Sequence, residues 1–547
     1  MSVHRSRLTR LTRLSALAAA AVLVTAGCAV GTQDPDSSSG GSAAGVGGTL
    51  VYATGVPDHL TPGRQTVAFD QVMSLFAPLV EVDSSNNISY LQAKSVTSDD
   101  AQHWTITIRQ GWTFQNGEPV TAKSYVDAWN ATALSTNAFE NSGQLAGIQG
   151  YTDLNPSKGK PKTTTMSGLK VVDDHTFTVT LSKPDSSFPL QLSQAQTGFY
   201  PMPESAYKDL KAYDQHPIGD GPFEMTGDFT PDKEFTVKKW ADYKGSNVAK
   251  VDAVTFRPYA DTNTAYTDVL AGNADIVFLP TGKMTSASKD FGDRLHSFDA
   301  PGIDYLGFPL WDKRFSDKRV RQAISMSIDR QAVNKAIYGG LYAPATALTP
   351  PTMQGTPTGV CGQYCTFDPA AAKQLLAEAG GWKGGTMKIV YPGGLSLDSL
   401  YKAYANQIRQ NLGIPNVVAT PTTDWSEYWQ SLTDSTVAGP HFGHWGALYV
   451  SQQNTLRALF TTTGGCTLCT GKYHNDEVDA MLAKADAATS TDQAAQLYAD
   501  TQKVIIGDFP VVPTFFDKYS YVVSDRVGQL PASAGSPVIT GITLTKS

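Results

Sequence analysis

The chain has 547 residues, 41% of them hydrophobic and 17% charged, enough to bury more than one core, so a single compact domain is not expected. The formal net charge is −7; four arginines, Arg5, Arg7, Arg10 and Arg13, stand ahead of Gly27 with no acid among them, and without that segment the charge falls to about −11. Such an acidic chain is a poor binder of nucleic acid, and no stretch after Gly27 reaches the ~20 apolar residues needed to span a bilayer.

The first element reads as an address. MSVHRSRLTRLTR is basic, Leu14 to Val24 is apolar, and Thr25-Ala26-Gly27-Cys28 is a small-residue site ending in cysteine, so residues 1–27 are expected to be a signal peptide. The site resembles a bacterial lipobox, with Thr25 where leucine is usual, and the resemblance implies cleavage before Cys28 and lipidation of that cysteine. An ordinary secretory signal with an incidental cysteine is the alternative. Residues 28–48 are rich in Gly and Ser, lack apolar periodicity and read as a flexible linker.

From Thr49 the pattern turns to strands and helices. GTLVYATGV alternates as a strand; Phe69 to Val80 reads as a helix carrying Val72, Leu75, Phe76 and Leu79, before a strand at Leu79 to Val82. Trp104 to Arg109 alternates as WTITIR, Asn116-Gly117 makes a turn, and Thr121 caps a helix carrying Tyr125, Val126 and Trp129. His175 to Leu181 is another strand, followed by the exit KPDSSFPL; HPIGDGPFEM, from His216 to Met225, is a Gly/Pro turn. Asp261 to Phe278 reads as cap, helix, Gly272 stop and strand.

The best-defined landmark runs from Trp311 to Pro351. Asp317 is placed to cap a helix with Val320, Ala323, Ile324 and Ile328 on its buried face, leaving Arg319, Arg321 and Gln322 for solvated faces. Asp329 caps a second helix carrying Ala332, Val333, Ala336 and Ile337, stopped by Gly339-Gly340. Asp368 and Pro369 open a further helix with Leu375 and Leu376 on its apolar face, and residues 475–513 give two helices and the strand FPVVPTFF. Helices alternating with strands, with strand-like segments again after Val511, suggest two α/β lobes, one built from both ends of the chain.

Taken in order, from about Thr49 to about Phe516, these segments resemble the extracellular solute-binding proteins of family 5, the peptide and nickel type that feed ABC importers. FQNGEPVTAKSYVDAWN and the Trp311 to Pro351 stretch carry the resemblance most closely, and HPIGDGPFEM matches the family's "P.GTGPY" turn with Asp220 where threonine is common. The resemblance implies a two-lobed periplasmic-binding-protein-like α/β fold with an extra subdomain in the first lobe. It places lobe I at 49–80, 196–300 and 515–547, the inserted subdomain at 81–195 and lobe II at 301–514, with the ligand cleft between the lobes. It also implies a monomeric, non-enzymatic receptor without a cofactor, held at the outer face of the cytoplasmic membrane and delivering a peptide or peptide-like solute to ABC permease subunits.

Catalytic constellations are thin: there is no HExxH, Walker loop, GxSxG or helix-opening GxGxxG. A secreted glycosidase-type hydrolase, which needs only two carboxylates, is the enzymatic alternative. Beyond Cys28, Cys361, Cys365, Cys466 and Cys469 are expected to form disulfides, the local pairs being simplest; a metal site built from His441, His444, Cys466 and Cys469 is the competing arrangement.

For the ligand, the informative stretch is GHWGALYVS, Gly443 to Ser451. Peptide-binding members of the family place there an aspartate that holds the peptide ammonium, and this chain has Leu448. Trp445, Leu448, Tyr449, His444 and Tyr305 are the candidate ligand-binding residues, with Trp445 and Tyr449 as aromatic walls. Leu448 favours a sugar, a nickel chelate or another solute without a free ammonium, unless another acid such as Asp424 or Asp434 folds into the site.

Overall fold

The computed structural model describes residues 44–45, 47–83, 87–193 and 199–545; the leader, Cys28 and nearly all of the linker lie outside them. Two hydrophobic cores organise the fold. The first gathers residues between Leu50 and Phe256 together with Tyr521 to Leu544, the second residues from Ala265 to Phe516. One mixed sheet runs through both, in the order Val417–Pro421, Met387–Tyr391, His441–Gly446, Leu295–Gly307, Val511–Val523, Ile276–Phe278, Thr49–Thr54, Ala253–Pro258, Phe235–Lys239 and Phe223–Met225. Among the described residues no helix is long and apolar enough to cross a membrane.

The long strands Leu295–Gly307 and Val511–Val523 pair antiparallel and pass from one core to the other. Their register shifts twice near the middle, between Asp304 and Tyr305 and, more widely, where Asp299 pairs with Lys518 but Ile303 pairs with Phe516. Ala300, Pro301 and Gly302 therefore face the single residue Asp517, a bulge that bends the pair. Gly302 is required there, because a Cβ would lie 2.0 Å from Asp517 Oδ2.

Thr49–Thr54 is fixed from both sides. It pairs in parallel with Ala253–Pro258 and Ile276–Phe278, and the fully buried Asp275 accepts from Val51 N (2.8 Å), Ser524 Oγ (2.7 Å) and Arg526 Nη1 (3.1 Å). A separate four-stranded sheet, of Ala93–Thr97, His103–Ile108, Thr176–Thr180 and Leu169–Asp173, packs on the helix Ala122–Ala133 through stacked Tyr125 and Phe177, 5.6 Å apart.

The local signals act as their chemistry predicts. Asp317, Asp329, Asp261, Asp368 and Thr121 each cap their helix by accepting from a backbone N–H, and Gly339 and Gly340 take positive φ after Arg330–Ile337. Two expectations fail. The helix expected from Phe69 to Val80 ends at Leu75, because the turn at Gly219 to Gly221 closes on it: Gly221 N donates to Leu75 O at 2.8 Å, and a Cβ on Gly219 would lie 1.8 Å from the same oxygen. Asp220, between those glycines, accepts from Ala77 N (3.0 Å) and Gln92 Nε2 (2.5 Å), and burial pushes its carboxyl up to about 7.

The second failure concerns Arg321 and Gln322, which are buried rather than solvated. Arg321 donates to Phe509 O at 2.8 Å and Asp508 O at 2.6 Å, satisfying carbonyls at the C-terminal end of the helix Thr491–Asp508. Arg330 does the same for Pro513 O, at 2.7 Å from Nη2, and so fastens its helix to the crossing strand. A buried guanidinium is tolerated where its donors meet carbonyls.

Candidate functional site

A cavity of about 710 Å³ opens beside the first core, facing the loop that follows His441–Gly446. The first core supplies Phe69, Asp70 and Met73 from the helix Phe69–Leu75; the loop after His441–Gly446 supplies Ala447, Leu448 and Tyr449; Tyr519 and Tyr521 come from the crossing strand. The segment from Pro531 to Gly541 closes one side, and Pro301 of the bulge also faces in. Val67, Met73, Val248 and Phe278 line it and are 42% to 56% exposed, so the walls offer apolar surface that a bound solute would cover.

The cavity brings together two of the five candidate ligand residues, Leu448 and Tyr449. Trp445 turns instead to a smaller cavity of about 300 Å³, shared with Tyr449, Gln453, Arg457 and Asp185, and donates through Nε1 to Asn454 Oδ1 at 3.0 Å. Tyr305 is 2% exposed within the second core, against Gly443, where a Cβ would meet its ring at 2.2 Å. His444 stands beside the bulge, its Nε2 2.9 Å from Asp517 Oδ2. Burial opposes protonation of this ring, but the charges of Asp517 and Asp304 outweigh it and raise His444; burial and Asp517 in turn raise Asp304.

Ligand atoms of Asp304, His444 and Asp517 lie within 4.8 Å of one another, the spacing of a metal site, though the His444–Asp517 ion pair already satisfies two of them. The competing His-Cys arrangement does not assemble. His441 and His444 are three apart on one strand and point to opposite faces; His441 is buried, with Nδ1 3.2 Å from Tyr428 Oη, and burial holds it down at about 4. The cysteines pair as Cys361–Cys365 and Cys466–Cys469.

Asp424 and Asp434, the acids named as substitutes for the missing carboxylate, are exposed and lie outside the cavity lining; Asp424 caps the helix Trp425–Thr433. The acids that do line it are Asp70, Glu81 and Asp83. Sequence reasoning missed them. Asp70 sits in the first turn of its helix, where an acid reads as complement to the helix dipole.

The seam beside the cavity is polar. Ser187 Oγ lies 2.8 Å from Ser451 Oγ, Gln453 Nε2 donates to Asp185 Oδ1 at 2.7 Å, and Ser186 N donates to Asp486 O at 2.8 Å. Tyr449, whose hydroxyl donates to Gln453 Oε1 at 2.6 Å, belongs to both the seam and the cavity wall.

Comparison with known proteins gives this arrangement a context. The description "Bacterial extracellular solute-binding proteins, family 5 Middle" matches residues 87–466. The probable deoxycholate-binding periplasmic protein YgiS of Escherichia coli K12 is 24% identical over 87% of this chain and 89% of its own length. The oligopeptide-binding protein OppA of Bacillus subtilis 168 is 25% identical over 86% and 88%. Among solved structures, the unliganded open form of the murein tripeptide-binding protein MppA superposes with a TM-score of 0.80 at 22% identity, covering 92% of this chain and 99% of that one. HbpA2 of Haemophilus parasuis gives 0.76 at 21% identity over 91% and 100%. The two-lobed fold is that of these binding proteins, and the chain belongs to the family 5 bacterial extracellular solute-binding proteins, which are transport receptors and not enzymes.

Proposed function

We propose that the protein is the lipid-anchored receptor of an ABC importer, closing its two lobes on a peptide or peptide-like solute and presenting that solute to the permease at the outer face of the cytoplasmic membrane. The observation that carries this reading is the apolar cavity of about 710 Å³, walled by elements of the first core and by the loop Ala447 to Val450 that follows His441–Gly446. Closure excludes water from such a cleft, and the closed shape is what a permease recognises. The bulge at Ala300 to Gly302 supports a lobe division near 300/301, within lobes at 49–80, 196–300 and 515–547 and at 301–514, with the insert at 81–195. Leu448 and Tyr449 contact the solute in this reading, Trp445 backs Tyr449, and His444 and Tyr305 support the wall from behind.

The test is native mass spectrometry of protein purified from its own host, followed by calorimetry with short peptide pools. A co-purified peptide-sized mass and micromolar or tighter binding are expected; an empty protein that binds no pool refutes the peptide reading. Leu448 favours a second reading, a non-peptide solute of the kind named for YgiS, and calorimetry with deoxycholate checks it. Anchoring is tested by Cys28→Ser, which should release the protein to the medium or leave it unprocessed. Unchanged partitioning of that variant into the detergent phase would argue against the anchor.

A further inference from the structure

Asp70 is a carboxylate without a counter-ion. Its Oδ2 accepts from Tyr52 Oη at 2.7 Å, and no Lys or Arg of the described residues pairs with it. Oδ1 has no protein partner among those residues, although Asp70 faces the cavity. The charged residues lining the cavity are Asp70, Glu81, Asp83 and Lys250, so acids outnumber bases. Glu81 already accepts from Asn247 Nδ2 at 2.5 Å, and Asp83 from Asn87 N at 2.9 Å.

The rings opposite have the complementary chemistry. Phe278, 44% exposed, stands edge-on to Tyr519 and Tyr521, with centroids 5.8 and 5.4 Å apart and planes at 75° and 85°. All three rings line the cavity, and an aromatic face that meets it attracts a cation. Tyr52, which holds Asp70, pairs in the sheet with Ile276 on the strand that carries Phe278, and Phe278 pairs with Tyr521, so the carboxylate and the three rings line the same cavity from adjacent strands. Burial pushes Asp70 up to about 6, and a cation bound beside it would draw it back down.

We propose that Asp70, with the faces of Phe278, Tyr519 and Tyr521, is an ammonium-binding subsite, so that the solute carries a cationic amine on an apolar body and docks it on the first lobe rather than beside Leu448. The inference rests on the receptor reading above and names the solute class. A purely structural Asp70 would serve only as acceptor for Tyr52, a role that asparagine also fills.

Two probe sets test it by calorimetry on the full chain: short peptide pools with free and with N-acetylated ends, and arylalkylamines with their matched alcohols. Wild type should prefer the charged member of a set by at least about tenfold, the size of one charge-paired contact. Asp70→Asn should reduce that preference to under about threefold while leaving the neutral members unchanged, and Phe278→Leu should weaken the charged members severalfold. Failure of both peptide pools with amine preference intact refutes the peptide reading and upholds the subsite. Equal binding of charged and neutral members, or an undiminished preference in Asp70→Asn, overturns the subsite and leaves the receptor reading standing.

Discussion

Where Leu295–Gly307 and Val511–Val523 cross between the cores, the contact is backbone ladder and apolar packing, with Phe515 and Val522 fully buried. Where Asp185 to Gln191 meets Ser451 to Gln453, it is side-chain hydrogen bonds among polar groups, which solvent can replace once the two sides separate. A ladder cannot slide without breaking many bonds at once, whereas a polar seam exchanges protein partners for solvent at a net cost of about 1 kcal/mol per bond. The crossing should therefore persist through the functional cycle and bend at the Pro301-Gly302 bulge, and the seam should open.

The severest test of that contrast is Phe515→Ala, which empties a fully buried site in the crossing strand. It should cost about 3–5 kcal/mol in urea unfolding. A loss below about 1 kcal/mol would mean that the crossing is no firmer than the seam. Asp220 offers a pH-dependent control inside one lobe. Its folded value, about 7, lies above the ordinary 3.8, so the folded protein binds more protons between those values. Stability should then fall as pH rises through that window, by about 2–4 kcal/mol, and stay lowered above it. Asp220→Asn should flatten this part of the profile; an unchanged slope would assign it to other groups.

The two cystines probe the second lobe. Each closes a very short loop, and chain-entropy reasoning gives at most about 2 kcal/mol apiece. Under denaturing, non-reducing conditions the intact mass should be four protons below the reduced mass; stoichiometric zinc with four free thiols would refute the pairing. The smallest effect on stability is expected at the seam. Gln453→Ala should cost about 1 kcal/mol in unfolding, because loss of the buried amide leaves Asp185 and Tyr449 without this partner but beside the smaller cavity, where water can enter. It should nonetheless enlarge the radius of gyration of the unliganded protein and speed ligand release. If it instead destabilises the protein as much as Phe515→Ala, the seam is core and the lobes do not part there.

Legibility in the sequence follows the range of the interactions. Caps such as Asp317 and Asp368 bond to N–H groups two or three residues away, so a local pattern identifies them. Arg321 and Arg330 look like surface charge on their own helices, because the carbonyls that hold them lie 187 and 183 residues downstream. The cavity divides the same way: Leu448 and Tyr449 are contiguous, in a stretch read against the family with Leu448 as its departure, while Asp70 acquires meaning only in a cavity it shares with Tyr521 of the distant crossing strand. Tyr305, chosen as a cleft residue, is drawn into the core by the close approach of Gly443.

The fixing of Thr49–Thr54 by Asp275 and its two parallel neighbours has a mechanical consequence. If the chain is anchored through its N-terminus as proposed, a pull on it passes through Ala44–Gly45, paired with Thr543–Thr545, to the start of that strand. Because its ladder partners run alongside it, a pull along the strand axis loads the hydrogen bonds with Ala253–Pro258 together, in shear, and does not peel them one by one. Arg526, which bonds both Asp275 and Thr49 O (3.0 Å), staples the loaded end to the last part of the chain. Under the proposed anchoring, force on the N-terminal segment is carried by the strand between the two halves of the sheet and need not disturb the polar seam.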